Sequence, residues 1–494
     1  MITAIIFQSK GFRNEILQEV LRLPLVSRIL LLGAGDETPS RERCETIPAA
    51  DIYSGQVWND VVARVATDYL LYVAPGKVRP DLRALERLLS VAVETKAGLV
   101  YADYAERAGE IMSEHPVCDH QEGSIRDDFD FGPLILMETD AARQALKKHG
   151  AIPSYRWAGW YDLRLKISAE RELLHLPERL SLVVKAARDK VGESKKAGFS
   201  YVDPQNRDFQ REMEDAATAH LKRIGAWLAP VFKEVPVAPQ SFPVEASVVI
   251  PVRNRVRTVS DAVKSALAQK TVFPFNVIVV DNHSADGTTE ILSALAGRFP
   301  QLKLLAPKRR DLSIGGCWNE AVSSEFCGRY AVQLDSDDLY GGDDVLQRLV
   351  ELLRKEKCAL AVGSYTIVDA DLREIPPGLI DHREWSEENG RNNLLRVNGI
   401  GAPRAFDTTL LRQIGFPNVG YGEDYAVTLR LSREYRIGRI YDSLYLCRRW
   451  EGNTDSVLTV EQVNRYNAYK DRLRTVEIKA RQTMNRKKDV PDAK

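Results

Sequence analysis

Short, fully apolar runs, each closed by a polar turn and followed by helical spacing, recur along the chain. "ASVVI" (246–250) leads into the turn "PVRNRVRT" and a helix, and "VIVV" (277–280) ends in Asp281 before "NHSADGTTEIL" starts another. Runs this apolar suit strands buried on both faces. Their alternation with helices predicts an α/β fold, a mostly parallel sheet with helices on both sides. "MITAIIFQSKGF" reads as a first strand: it has no basic n-region, and its apolar run is too short for a signal peptide. Nowhere do 18 apolar residues run together, so the pattern predicts no transmembrane segment and leaves only peripheral membrane contact open.

The pattern repeats itself. With Tyr69 set against Tyr330, an offset of 261, "YLLYVAPGKVRPDLRALERLL" lies over "YAVQLDSDDLYGGDDVLQRLV". Leu85, Arg87 and Leu88 then meet Leu346, Arg348 and Leu349, and the match reaches Leu99 over Leu360 and Tyr104 over Tyr365. Upstream, "VWNDVVA" (57–63) resembles "CWNEAVS" (317–323). Downstream, "WYDLRLKISAE" (160–170) falls on "DYAVTLRLSRE" (424–434), and "ERLSLVV" on "DSLYLCR". Several pieces in one order point to a duplicated domain.

Between the copies, residues 186–243 change character. "ARDKVGESKK" is polar and expected to be loose. Residues 206–228 carry helical periodicity through Phe209, Met213, Ala217, Leu221 and Ile224, and "APVFKEVPVAPQSFP" is a proline-punctuated linker. The expected domains are therefore 1–185, a linker with one helix over 186–243, 244–456, and a tail over 457–494. The tail reads as one long helix with a frayed, charged end, its Val463, Tyr466, Tyr469 and Leu473 facing the second domain.

At 494 residues the chain is long enough for two or three domains. Lys plus Arg and Asp plus Glu both number 69, so no global field draws it to nucleic acid or an anionic membrane. The six cysteines (Cys44, Cys118, Cys317, Cys327, Cys358, Cys447) show no CxxC or zinc spacing, which predicts a reduced, cytoplasmic setting.

Chemistry concentrates in the second half. In an open α/β sheet ligands bind at the carboxyl ends of the strands, and Arg253, Asn254, Asp281, Asp335 and Asp337 all follow apolar strands. In "YAVQLDSDDLY" three carboxylates crowd one strand end, where they repel unless something neutralises them. Hard oxygen donors there suit Mg²⁺ or Mn²⁺ bridging to a diphosphate, with Asp337 and Asp335 as candidate ligands.

Taken in order, "VVIPVRN", "VIVVDNHSADGT", "GGCWNEAV", "YAVQLDSDD" and "GYGEDYAVTLRL" resemble the motifs of the family 2 glycosyltransferases of the GT-A fold, over residues 245–456. The resemblance implies tandem GT-A-like, Rossmann-related domains joined by the helical linker. It implies a nucleotide-sugar donor lined by Pro251, Arg253 and Asn254, with Asp281 on the base, commonly uracil. Asp335 would then lie near the ribose, and Asp337 would ligate the metal on the diphosphate. "GED" (422–424) matches the catalytic-base motif, which makes Asp424 the base of a metal-dependent, inverting transferase of the hexosyltransferase type. The same residues open a helix, so Asp424 also reads as an N-cap acid.

Arg309 and Arg310 suit either a diphosphate contact or a solvated basic loop. Asn319 fits the family's recurring asparagine, yet Asn59 stands at the matching place in the first half, which favours a structural role; His283 reads as a turn residue. One departure concerns Trp450 in "CRRWEGNTDS", where many relatives carry a metal-binding histidine. Trp450 would there stack on an acceptor sugar or simply pack. "LCRRW" half-resembles the QxxRW of processive synthases, with Leu446 in the place of Gln.

In the first half Asp335 becomes Ala74, Asp337 becomes Gly76, and Glu423 and Asp424 become Gly159 and Trp160. The first domain thus reads as a degenerate, non-catalytic copy, and its "DDFDFG" (127–132) as a loop. The sequence therefore predicts transfer of a sugar from a nucleotide-sugar, UDP-sugar favoured, to a saccharide or lipid-linked acceptor in polysaccharide or glycan biosynthesis. The sequence leaves two alternatives. One is a non-catalytic nucleotide-sugar or glycan-binding protein. The other is a sugar nucleotidyltransferase, although "PVRNRVRT" lacks the glycines of a phosphate loop.

Overall fold

In the computed structural model, which describes residues 1–8, 15–33, 43–49, 51–81, 83–185, 206–236, 241–450, 453 and 458–488, the apolar runs become strands. The first half forms β1 (Ile2–Gln8), β2 (Val26–Gly33), β3 (Cys44–Pro48), β4 (Tyr69–Val73), β5 (Val78–Pro80), β6 (Leu99–Ala108), β7 (Ile111–His115), β8 (Leu134–Glu138) and β9 (Leu173–Lys185). The second forms β10 (Ala246–Val252), β11 (Phe275–Asp281), β12 (Leu302–Leu305), β13 (Tyr330–Gln333), β14 (Leu339–Tyr340), β15 (Leu360–Val368), β16 (Glu374–Ile380), β17 (Arg404–Asp407) and β18 (Ile437–Arg448). Each half makes one nine-stranded sheet. The orders are β3-β2-β1-β4-β8-β6-β9-β5 with β7 on β6, and β12-β11-β10-β13-β17-β15-β18-β14 with β16 on β15. Strand for strand, in chain order, the two topologies are the same.

In the second sheet β10 runs parallel to β11 and β13, and β11 to β12, as crossovers through helices require. Beyond β13 the sheet is mixed: β17 is antiparallel to β13 and β15, while β15 and β18 are parallel. β17 is reached from β16 through a stretch whose only helix is the four-residue Gly390–Asn393, so its direction escapes the strand–helix rhythm from which a parallel sheet is read. Each half has its own core. In the second, Val248, Ile250, Val277, Val279 and Val332 are buried against helices such as Val345–Glu356, whose Val345, Leu346, Leu349, Val350 and Leu353 recur at helical spacing. In the first, Ile2, Ala4, Ile6, Ile29 and Leu71 do the same work.

The chain divides into two compact units, and the division departs from the sequence expectation in two places. From Asp208 on, the helix Arg207–Arg223 belongs to the first unit rather than to a free connector. Its Glu212 carboxylate accepts the backbone N–H groups of Arg156, Trp157 and Ala158 at 2.9, 2.7 and 3.2 Å, and Asp215 accepts from the Tyr155 hydroxyl at 2.6 Å.

The tail helix Val460–Lys488 also packs on the first unit, not on the second. Val463, Tyr466, Tyr469 and Leu473 are only half-buried, whereas Asp471, Arg474, Glu477 and Arg481 are buried. Asp471 accepts from Ser124 Oγ at 2.9 Å and pairs with Arg126 at 3.4 Å and Arg474 at 2.6 Å. A helix docked through charges does not show its contact face in the apolar pattern.

The polar stretch 187–196 and the end of the tail beyond Lys488 lie outside the described residues. All six cysteines are free thiols. Among the described residues no helix is long and apolar enough to cross a membrane.

Candidate active site

The carboxyl ends of β10, β11 and β13 lie side by side, with Val252 in register with Asp281 and Val249 with Gln333. The turns that follow brace one another. Asn254, at a left-handed φ of 55°, donates its N–H to Ser284 Oγ at 2.9 Å and accepts from Ala285 N–H at 2.8 Å. Asp281 is buried and accepts from Ser284 N–H at 3.1 Å and Thr289 Oγ at 2.5 Å. Pro251 pairs with Val280 inside the sheet, and Arg253 is exposed. Asn254 and Asp281 therefore shape the edge whatever else they contact. Arg310 is exposed, while Arg309 is tied to Asp311 at 2.6 Å in its own loop. His283 is a turn residue at φ 57°, its Nε2 2.8 Å from the Arg309 carbonyl.

The three carboxylates after β13 have different partners. Asp335 accepts from Gln333 Nε2 at 3.0 Å on each oxygen, and its N–H donates to the Tyr445 hydroxyl at 3.0 Å. Asp338 is buried; it accepts the Arg448 N–H at 2.7 Å, and burial pushes its carboxyl well above the usual range. Asp337 Oδ2 accepts from Trp450 Nε1 at 3.3 Å and Asn453 Nδ2 at 3.2 Å, with Arg255 Nε 3.7 Å away. Trp450 thus reaches the Asp337 carboxylate through its indole N–H, with the Arg257 guanidinium 5.2 Å from its ring centroid.

Among the described residues no three His, Cys, Asp or Glu side chains are arranged to hold a metal ion between them. Asp338 is committed to the backbone. Asp337, with Asp335 in electrostatic reach, offers hard oxygen donors. That set fits Mg²⁺ or Mn²⁺ held by one or two carboxylates, the remaining positions going to substrate phosphates and water.

The second acidic group opens the helix Glu423–Ser432. Its N-cap is Gly422 at φ 83°, so Asp424 lies in the first turn instead of capping it. Asp424 Oδ2 pairs with Arg404 NH1 at 2.5 Å, and its Oδ1 accepts the Tyr425 N–H at 2.6 Å. Arg404 is half-buried at the start of β17 and also donates to the Gly401 carbonyl at 2.9 Å. Burial opposes its charge, but Asp424, Asp335 and Glu423 outweigh that and hold it cationic. Glu423, buried beside Asp424, is pushed up to about 8 by burial and by that neighbour. The sheet edge and the helix start thus bring Asp335 and Asp424 into one electrostatic cluster with Arg404 among them.

The first unit shows what the same framework looks like without this cluster. Tyr330 pairs with Asp407 and Tyr69 with Glu138, so counting back along β17 and β8 sets Arg404 against Ile135. Tyr365 pairs with Tyr445 and Tyr104 with Ser181, which sets Tyr445 against Ser181. Helices Gly159–Ser168 and Glu423–Ser432 start alike, so Trp160 stands where Asp424 does. Trp160 stacks on Tyr72, the counterpart of Gln333, at 5.2 Å between centroids, and lies 5.0 Å from Trp58.

What both units keep is scaffold. Asn319 clamps Phe416, donating to its carbonyl and accepting its N–H at 2.8 Å each, and Asn59 does the same to Ile152 at 2.8 and 3.0 Å. A methyl group on Gly315 would sit 1.9 Å from the Pro417 carbonyl oxygen, and one on Gly55 1.8 Å from that of Pro153. "DDFDFG" is an irregular segment whose Asp128 and Asp130 serve Arg126 and His115. Sequence reasoning missed Arg404, Gln333, Tyr445 and Asn453. Only Arg404 left a trace, as a cation before the apolar run of a strand.

Residues 247–415 match the family described as Glycosyl transferase family 2; Asp424 lies just beyond that segment. An uncharacterized glycosyltransferase of Rickettsia conorii is 26% identical over 199 residues, covering 39% of this chain and 31% of its own length. Chondroitin synthase of Pasteurella multocida is 32% identical over 125 residues, covering 25% and 12%. The aligned part thus spans less than a third of these relatives' lengths. Among solved structures, S. aureus TarS 1-349 in complex with UDP-GlcNAc aligns at a TM-score of 0.37 and 21% identity, over 49% of this chain and 73% of that one. The second unit, which holds the acidic cluster, carries a family 2 glycosyltransferase domain over residues 247–415.

Proposed function

We propose that the second unit transfers a hexosyl group from a nucleoside-diphosphate sugar, a UDP-sugar favoured, to a hydroxyl of a saccharide or lipid-linked acceptor, with inversion. The observation that carries this reading is Asp424, held by Arg404 at the start of its helix, within electrostatic reach of Asp335 at the strand edge. A sugar hydroxyl is a poor nucleophile until its proton is accepted during attack. Asp424 takes that proton as the acceptor oxygen bonds to the anomeric carbon. The bond from that carbon to the diphosphate breaks on the opposite face, and the diphosphate leaves with the electron pair.

Asp337, with Asp335, would hold Mn²⁺ or Mg²⁺; when bound, the cation stabilises the charge gathering on the leaving diphosphate. Pro251, Arg253 and Asn254 line the nucleotide, Asp281 faces the base, and Arg310 lies on the diphosphate side. The first unit, without these groups, supports structure or acceptor binding.

Donor binding and hydrolysis across a panel of nucleotide-sugars test the reading, with Mn²⁺, Mg²⁺ or EDTA, comparing wild type with Asp337→Ala. Metal-dependent binding of one donor, lost in the variant, is the expected result. No binding of any donor by the folded protein would turn the reading into a binding module for other ligands.

A further inference from the structure

We propose that Arg404 is a positioning residue for sugar transfer, acting through Asp424 by fixing where its carboxylate points. The inference rests on the proposed role of Asp424 as base. A single guanidinium nitrogen, NH1, joins the two contacts that define the position: the Asp424 carboxylate at 2.5 Å and the Gly401 carbonyl at 2.9 Å. One contact anchors the arginine to the loop before β17, and the other carries that anchorage to the helix start. Asp424 is thereby pinned from the start of β17, outside its own helix.

Electrostatics favour such a partner. A general base must be a carboxylate when the acceptor arrives, yet Asp424 shares its surroundings with Glu423 and Asp335. Like charges gathered in a partly buried site drive one another towards the neutral acid, as Glu423 shows beside it. A half-buried cation in contact with Asp424 opposes this at that carboxylate first, because the interaction falls with distance.

The duplicated fold supplies a second, independent observation. At the same register position of the first unit, Arg404 is replaced by Ile135, and Asp424 by Trp160. The scaffold residues Asn59 and Gly55 persist there, opposite Asn319 and Gly315. Arginine and acid are therefore absent together from a framework that folds without either, so neither is needed to build β17 or its helix. An arginine serving only to pin a strand would be expected where the strand itself is kept.

The test compares the wild type with Arg404→Ala, Arg404→Lys and Arg404→Ile, the last carrying the first unit's residue. Folding is checked by thermal melting, donor affinity by titration, and kcat and KM by transfer from the donor identified in the panel. The expected result for Arg404→Ala is a fall in kcat of about 100-fold, the scale of a misplaced reacting group, with donor affinity within about threefold of wild type. Arg404→Lys keeps the charge and recovers part of the loss, and added guanidinium ion restores turnover to Arg404→Ala but not to Arg404→Ile, whose side chain fills the space.

A folded Arg404→Ala with wild-type kcat overturns the proposal. Loss of donor affinity at unchanged kcat also overturns it, because Arg404 would then act on the donor. Absence of transfer by the wild type with every donor defeats the underlying reading instead, and the proposal with it.

Discussion

The indole N–H of Trp450 donates to Asp337 Oδ2 at 3.3 Å, beside the Asn453 amide on the same oxygen at 3.2 Å. Indole nitrogen is a donor only, so Trp450 cannot take the place of a metal-binding histidine, and the ring orients the carboxylate instead. A cation at this site would depend on Asp337 and on substrate oxygens. Asp337→Ala is therefore expected to abolish metal-dependent donor binding. Trp450→Phe keeps an aromatic ring, loses one hydrogen bond and weakens donor binding by about tenfold. Titration of donor with Mn²⁺ and with EDTA checks both, and equal losses in the two variants would put Trp450 in the binding machinery itself.

Asp424→Asn preserves size and leaves no base. A positioned general base contributes roughly 10²–10⁴-fold, so kcat should fall by that factor while donor affinity stays near wild type. Arg404 loses its ionic partner in this variant, and a melting curve separates misfolding from lost chemistry. The double variant Asp335→Ala, Asp424→Ala should have no measurable transfer. Substantial residual activity would place chemistry outside the second unit.

How much of this was legible depended on whether the signal was local. Strand ends are local: an apolar run followed by Arg253 and Asn254, Asp281 or Asp335 and Asp337 announces itself, and all of these lie along one edge. The duplication was legible because Tyr69 and Tyr330 open strands with the same neighbours. Arg404 and Tyr445 were not, since what makes them matter is register: β17 inserts between β13 and β15, and β18 places Tyr445 beside Asp335. The tail helix misled for a different reason. Its apolar positions mark the half-buried side, while Asp471 and Arg474 make the buried contacts.

The first unit should lose stability in mild alkali through His115. Burial alone would lower its pKa, but Asp130 at 3.3 Å and Glu106 at 3.5 Å outweigh that and raise it to about 9. The folded value lies above the unfolded one, near 6.5, so the contribution is fully present below the unfolded pKa and fades as pH rises through the folded one. Between pH 6 and pH 8.5 the loss amounts to about 2–3 kcal/mol. His120 and the buried His220, held neutral, shift stability the other way over this window, so the difference between wild type and His115→Gln in urea unfolding at both pH values measures the His115 contribution. Glu423 changes stability in the same direction but is common to both proteins, and the buried Cys118 thiol, pushed up to about 11, stays protonated throughout. An unchanged slope in the variant would assign the dependence to other groups.

Trp160 separates a structural from a chemical role for the first unit. It stands where Asp424 stands in the second, stacked on Tyr72 and tilted against the buried Trp58. If these rings only complete the packing of a sheet edge that has lost its acids, Trp160→Ala removes aromatic contacts and leaves a partly collapsed gap. For a half-exposed ring the cost should be about 2–4 kcal/mol, below that of a fully buried tryptophan. Donor hydrolysis by the folded protein should then be unchanged, because the acids and Arg404 all lie in the second unit. Unfolding curves and donor turnover measured on one preparation decide the matter. Turnover that falls while the unfolding curve stays in place would mean that the aromatic edge handles substrate.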